Sequence, residues 1–259
     1  MEKLETRTLY RDGAWDAIVT HPQFDLGYRE FHALSRFVPV VARHIQGAIN
    51  ILHLGVGNGR EVPLFTNRFQ IGTYVINDIC EPVLRKVAKE ARAKYPSIHF
   101  EEELADIEQN SAITKLREKL NGKILIVLAG NAVIFSHRGL DTDINRAMEK
   151  DDLFLITVET PHKHMFDSYT IEPVYRLLER GGLQVNAENT KAWYDKTDQC
   201  LKIFSQDKLF LSSYKPTEGQ LRKRLKNAGM VDVVFREYKD LHMLAGLFKK
   251  DSRPAFSTV

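Results

Sequence analysis

Residues 50–65, Asn-Ile-Leu-His-Leu-Gly-Val-Gly-Asn-Gly-Arg-Glu-Val-Pro-Leu-Phe, constrain the fold more than any other part of the chain. The apolar run Ile51-Leu52-His53-Leu54 stops at three glycines spaced two apart, Gly55, Gly57 and Gly59, and then resumes with helical spacing. A strand that ends this way and turns straight into a helix brings bare backbone close to whatever lies over its carboxyl end, where a Cβ would take the ligand's space. Something flat or anionic belongs there. The dinucleotide fingerprint is G-x-G-x-x-G; here the third glycine follows after one residue, a spacing that leans away from NAD. Such a turn can also serve only tight strand–helix packing, and the spacing leaves both readings open.

The turn sits in an alternating pattern. Strand-like runs at 49–55, 70–79, 97–107, 123–134 and 152–160 are separated by amphipathic segments, and the first and fourth are almost continuously apolar, as parallel strands covered on both faces should be. Between them, Val83, Leu84, Val87, Ala88 and Ala91 form one helical stripe, and the segment 111–122 ends in Asn-Gly, a helix terminus. This is the α/β pattern. With 259 residues and 43% hydrophobic content the chain can bury one large core. The organisation read from it is an N-terminal helical cap over 1–48, a core over 49–250 interrupted at about 160–216, and a flexible tail over 251–259.

Two carboxylates close the second and third runs. Asp78, nineteen residues beyond Gly59, can accept hydrogen bonds from both hydroxyls of a ribose or cap the helix that follows it. Asp106 can accept the exocyclic amine of an adenine or sit in an exposed turn. Both stand at carboxyl ends of successive strands beside the glycine turn, where open α/β sheets bind ligands.

These stretches resemble the class I S-adenosylmethionine-dependent methyltransferases: "LHLGVGNG" is similar to their first motif, "YVINDICEPVL" to the second, "ELADIE" to the third and "ILIVLAGNAVIFS" to the fourth. The stretch 216–240 followed by "LHMLAGLFKK" resembles the family's closing helix and antiparallel hairpin. The resemblance covers roughly 49–160 and 208–250. It implies a Rossmann-like, mostly parallel seven-stranded sheet with an antiparallel C-terminal hairpin and helices on both faces. It also implies S-adenosyl-L-methionine as cofactor, S-adenosyl-L-homocysteine as product, and direct in-line methyl transfer. Cofactor contacts then fall on Gly55, Val56, Gly57 and Gly59, on Asp78 and Ile79, and on Asp106, Ile107 and Ala129. His53 stands where the family commonly has an acidic residue.

Within that class the chain resembles the histidine-specific Nα-methyltransferases of ergothioneine biosynthesis, through "VLAGNAVIFS", the excursion around "HMFDSYTIEPVYRLL", and Ser213-Tyr214-Lys215. The family's substrate-holding asparagine aligns with Phe135, with Asn131 four residues earlier, and its imidazole-reading glutamate aligns with Leu211. The resemblance therefore implies a small-molecule acceptor, an amine or amino-acid-like compound, in a pocket less polar than histidine needs. Asn131 is the candidate for positioning the reacting group.

His162 and His164 follow the fifth run with ligand-like spacing but no carboxylate set, so no metal is expected; facing the pocket, either could act as a base. The region 160–216 carries Phe166, Tyr169, Tyr175, Trp193, Tyr194 and Tyr214 and has the character of a lid. Phe166, Tyr169 and Ser213, with Tyr28 from the N-terminal segment and Phe135 and Leu211, make up the candidate acceptor-binding set. Aromatic residues there can form a cation–π surface for an amine or simply pack the insertion onto the sheet. The net charge of +3 is spread along helices, which speaks against nucleic acid, and no apolar run reaches membrane-spanning length. Two distant cysteines and a charged N-terminus fit a cytoplasmic protein. Two other readings remain open: another S-adenosylmethionine-using transferase or a nucleotide-dependent oxidoreductase, and a non-catalytic cofactor-binding module. Oligomeric state is not readable.

Overall fold

The computed structural model describes residues 18, 20–109, 111–129, 139–180, 190–205 and 208–252. Helix α1 (Leu26–Ala42) precedes β1 (Ile49–Leu54), the short α2 (Val62–Thr66), β2 (Ile71–Asp78), α3 (Glu81–Lys94), β3 (His99–Leu104), α4 (Ala112–Glu118), β4 (Ile124–Leu128), α5 (Leu140–Ala147) and β5 (Leu153–Glu159). After α6 (Glu172–Arg180) come β6 (Thr190–Asp195), β7 (Cys200–Ser205) and β8 (Lys208–Tyr214). The chain then runs through α7 (Glu218–Asn227), β9 (Met230–Tyr238) and β10 (Met243–Lys250).

Seven strands form the main sheet in the order β3-β2-β1-β4-β5-β10-β9, as the resemblance implies. The first five run parallel, and β10 lies antiparallel to both β5 and β9. The chain leaves β1 toward β3 and returns to β4 on the other side. β1 and β4 are paired from Asn50↔Ile124 to Leu54↔Leu128, so the switch point of the topology opens directly above the glycine turn.

Alternation along the strands divides the core in two. Ile49 and Ile51 of β1 face α1 and the Val83, Leu84, Val87, Ala88 stripe of α3, whereas Leu52 and Leu54 face α4, α5 and α7 through Ile113, Leu116, Ile144, Leu221 and Leu225. Helix α1 buries Leu34, Phe37, Val38 and Val41 at helical spacing in the first of these cores. It packs directly against the sheet.

At the amino edge of the sheet, Arg117 grips Asp152 through two nitrogens at 2.8 and 3.2 Å, and Asp152 also accepts the Ile124 and Glu149 N–H groups. This buried pair fixes where β4 and β5 begin. The insertion holds a feature the sequence reading had not foreseen: β6, β7 and β8 form a separate three-stranded antiparallel sheet. Leu201 and Ile203 of that sheet, with Met165, Tyr169 and Val174 before it, share a third core with Phe24, Leu26 and Ala33 from the N-terminal segment. No helix among the described residues is long and apolar enough to cross a membrane.

Candidate active site

The carboxyl edge of the parallel strands is built on backbone geometry that only glycine adopts freely. Gly55, Gly57 and Gly59 have φ of 63°, 53° and 72°. Gly57 and Gly59 serve different ends. A Cβ on Gly59 would stand 2.5 Å from Val87 Cγ1, so this glycine lets α3 close on the turn. A Cβ on Gly57 would meet nothing within 4 Å among the described residues, so the backbone is uncovered here. The packing reading of the glycine turn therefore holds at Gly59, whereas at Gly57 packing does not call for glycine. Val56 turns its side chain into the core, gives its N–H to Asn77 O at 2.9 Å and accepts the Gly59 N–H, which leaves it as framework.

Asp78 ends β2 beside this opening. One oxygen accepts the Gly57 N–H and the other the Cys80 N–H, each at 2.9 Å. The carboxylate thus clasps the turn and the entry to α3 together. Asn77, fully buried, donates to Glu103 O at 2.9 Å and Ala105 O at 3.0 Å, tying the ends of β2 and β3, while its own carbonyl oxygen has no partner among the described residues. Asp106 accepts the Glu108 N–H at 3.0 Å and so shapes the turn in which it sits. Ile79 and Ile107 are half-buried next to the two acids, and Ala129 is buried where β4 ends.

His53, in place of an acidic residue, lies within the core, with Nδ1 2.9 Å from the Tyr74 hydroxyl and its ring edge-on to Phe65. Burial lowers its pKa to about 3, so it is a neutral structural partner of Tyr74.

A second set of polar groups meets at the end of β5, and the sequence reading missed it. Glu159 is buried; its Oε1 takes Arg29 Nη2 at 2.5 Å and His162 Nε2 at 2.8 Å, and its Oε2 faces Lys215 Nζ at 2.5 Å. Lys215, 2% exposed, reaches the Tyr169 hydroxyl at 3.1 Å, and Arg29 also donates to Leu241 O. Burial alone would raise the Glu159 carboxyl, but Lys215, His162 and Arg29 hold it well below the usual carboxylate range. Arg29 comes from α1, His162 and Tyr169 from the insertion, and Lys215 from just after β8. The carboxylate therefore bolts three distant segments to the sheet. The signal in the sequence was a lone charge closing each of two apolar runs, Glu159 after "LFLITV" and Lys215 after "LFLSSY".

The structure separates the two histidines. His162 is enclosed, with Nδ1 accepting the His164 N–H at 3.3 Å and Nε2 on Glu159, and its ring stacks on His242 at 4.3 Å. Neither nitrogen is left for an acceptor's proton, which suits a positioning role better than that of a base. His164 is exposed and paired with Asp167 at 3.1 Å. Among the described residues, no group of three or more His, Cys, Asp or Glu side chains could hold a metal ion.

Of the candidate acceptor-binding residues, Tyr169 and Ser213 are buried together. Burial raises the Tyr169 pKa, and the Ser213 hydroxyl has no hydrogen-bond partner among the described residues. Phe166 is half-buried, and Tyr28 is 62% exposed with its ring 4.1 Å from His32. Tyr175 and Tyr194 pack onto the third core, and Tyr214 lies in the second core beneath Arg224. Trp193 remains exposed and stacks on Phe204. Asn131 and Phe135 lie outside the described residues, as does the Leu211 side chain.

A profile of the family described as histidine-specific, S-adenosylmethionine-dependent methyltransferases matches residues 2–237. The chain belongs to this family. It is an S-adenosylmethionine-dependent methyltransferase, and no curated protein sequence matches it. The enzyme's fold is similar to that of the CcbJ methyltransferase from Streptomyces caelestis, with 15% identity over 95% of this chain and 98% of that one, TM-score 0.53. It is also similar to magnesium protoporphyrin IX methyltransferase from Synechocystis PCC 6803 bound to S-adenosylhomocysteine, with 13% identity over 95% and 99%, TM-score 0.54. A third similar fold is 1,6-didemethyltoxoflavin-N1-methyltransferase from Burkholderia thailandensis, with 13% identity over 92% and 87%, TM-score 0.51.

Proposed function

We propose that the enzyme methylates a small-molecule amine or amino-acid-like acceptor in a pocket less polar than histidine requires. The cofactor supplies a methyl group already activated on a sulfonium. The observation that carries its placement is the pair made by Gly57 and Asp78: open space over bare backbone, beside a carboxylate that closes β2 and takes the Gly57 N–H. In this reading Gly55 and Gly57 admit the cofactor to the backbone, and Asp78 accepts the ribose hydroxyls. Asp106 accepts the adenine amine, and Ile79, Ile107 and Ala129 give apolar walls to the base. The chain's work is then alignment and exclusion of water more than acid–base chemistry. No proton transfer to His162 or His164 is needed.

The acceptor half of the reading rests on residue identity. Phe135 and Leu211 carry no hydrogen-bonding group, whatever their rotamers. An imidazole left without partners there would cost about 1–3 kcal/mol per unsatisfied group. The Ser213 hydroxyl, buried and without a hydrogen-bond partner among the described residues, and the Asn131 amide are the polar groups this reading offers for positioning the acceptor. In this reading the segment that carries Phe166 and Tyr169 covers the acceptor, with Tyr28 at the rim.

The test is methyl transfer from labelled S-adenosylmethionine to a panel of amines, amino acids and small hydroxylated aromatics. At least one member less polar than histidine should be methylated well ahead of free histidine. Efficient methylation of histidine would overturn the acceptor half of the reading while leaving the cofactor half standing.

A further inference from the structure

The histidine motif that opens the insertion meets the turn between β9 and β10, and the contact between them is made of two imidazoles. The His162 side chain is only 6% exposed, and its ring lies on that of His242 with centroids 4.3 Å apart and planes 8° from parallel. His242 follows the turn Lys239–Leu241 with φ 51° and ψ 42°, left-handed backbone that is uncommon outside glycine and that histidine tolerates better than most residues. Its carbonyl accepts the Thr160 N–H at 2.9 Å, one step beyond the Glu159↔Met243 rung of the β5–β10 ladder. Leu241 and Met243 on either side of it are buried with Met165 and Tyr169 of the insertion, whereas His242 itself is exposed. The insertion is thus held to the main sheet where it leaves β5, and one member of the holding pair is open to solvent protons.

From this geometry we propose that His162 and His242 form a proton-operated latch: the neutral pair stacks and holds the start of the insertion to the β9–β10 turn, and a proton on His242 loosens it. His162 has both nitrogens engaged, on Glu159 and on the His164 N–H, so the proton goes to His242. The surrounding charges do not welcome it. Arg29 of α1 donates to Glu159 and to the carbonyl of Leu241, the residue before His242, so a guanidinium already stands beside the stack. Glu159 of β5 has both oxygens taken by Arg29, His162 and Lys215. Asp25 of α1 gives its two oxygens to Arg29 at 3.0 and 3.2 Å, and Asp240 of the turn pairs with Arg36 at 2.7 Å, while Lys239 adds a further positive charge. In keeping with this, partial desolvation lowers the His242 pKa below 6.5, with His162 and Arg29 adding to the effect and Glu159 and Asp25 opposing it. A lowered imidazole pKa makes the latch complete above about pH 6.5 and weaker as pH falls. Where the insertion covers the acceptor, as read above, mild acid loosens that cover; the latch itself does not depend on that reading.

Hydrogen–deuterium exchange of the full chain, without any ligand, reads the latch through the Thr160 and His164 amides, which are bonded to His242 O and His162 Nδ1. After correction for the intrinsic pH dependence of exchange, their protection should fall about 3- to 10-fold between about pH 8 and about pH 5.5. The amides of Leu125–Val127 in β4 report global opening and should stay far better protected over the same range. His242→Asn puts a residue that accepts left-handed backbone, and does not titrate, in place of the imidazole, and the fall should disappear. His164→Gln removes the exposed neighbouring histidine and should leave the fall intact. A fall of the same size in His242→Asn, its loss in His164→Gln, or wild-type protection independent of pH would overturn the latch. So would an NMR titration of the wild type in which the His242 ring titrates at 6.5 or above.

Discussion

Neutralising Glu159 should destabilise the enzyme more than removing Lys215, and removing both should cost less than the sum. Burial alone would lower the Lys215 pKa, but Glu159 and the Tyr169 hydroxyl raise it from 10.5 to about 12. A rise of that size is worth about 2 kcal/mol to the folded state. Lys215→Met loses that contribution and regains part of it through the apolar stem, so about 1–2 kcal/mol is expected. Glu159→Gln leaves the Arg29 and Lys215 cations in the interior with no anion between them, and about 3–5 kcal/mol is expected. In the double variant one stranded cation is gone, and the total should fall short of additivity by about 1–3 kcal/mol. Urea denaturation followed by circular dichroism reads all four proteins, with stability taken from midpoints at constant slope. The pH dependence has a definite sign: a raised lysine pKa stabilises fully below about pH 10.5, and the effect disappears as pH rises through about 12. The gap between wild type and Lys215→Met should narrow over that window. Strict additivity, or a Glu159→Gln variant as stable as wild type, would show that the charges at the end of β5 are not coupled.

Acid should expose the buried imidazole of His53. Its folded pKa of about 3 lies below the ordinary 6.5, so its contribution is complete above about pH 6.5 and shrinks as pH falls toward 3. By pH 5 wild type should lose about 2 kcal/mol more than His53→Gln, relative to pH 7.5; equal losses would contradict the assignment. Gly57→Val puts its Cβ in open space but holds a β-branched residue at a φ of 53°, at a cost of about 1–3 kcal/mol, so it should lower the melting temperature, keep a native circular dichroism spectrum below it, and abolish S-adenosylhomocysteine binding. Retained binding would remove the ligand from the turn. Asp78→Ala should weaken the same binding by about 1.5–3 kcal/mol, whereas wild-type affinity would reduce Asp78 to a clasp on its own backbone.

The parallel sheet was legible because strands covered on both faces must be apolar almost throughout, as Ile124–Leu128 is. The third run was read as 97–107, but the strand covers His99–Leu104 at the sheet's edge, where Glu101, Glu102 and Glu103 are half-buried. The three-stranded sheet of the insertion carries a readable signal: alternation in "TKAWYD" and "CLKIFS" across the turn "KTDQ". Aromatic content drew attention to a lid instead, and most of those rings pack the insertion in place. At the candidate site, glycine spacing showed that the backbone is bare but not why at each position. Gly59 answers to Val87, a contact between segments that are distant in sequence. The ion cluster was out of reach for the same reason, since Arg29, Glu159, Tyr169 and Lys215 acquire a relationship only through the topology.

The account turns on what the glycine turn binds, and one calorimetric titration addresses that directly. Purified enzyme titrated with S-adenosylhomocysteine should give saturable binding to a single site per chain, while NAD under the same conditions should give no heat beyond dilution. Binding of NAD, or no binding of S-adenosylhomocysteine, would contradict the placement of the cofactor over Gly57 and Asp78.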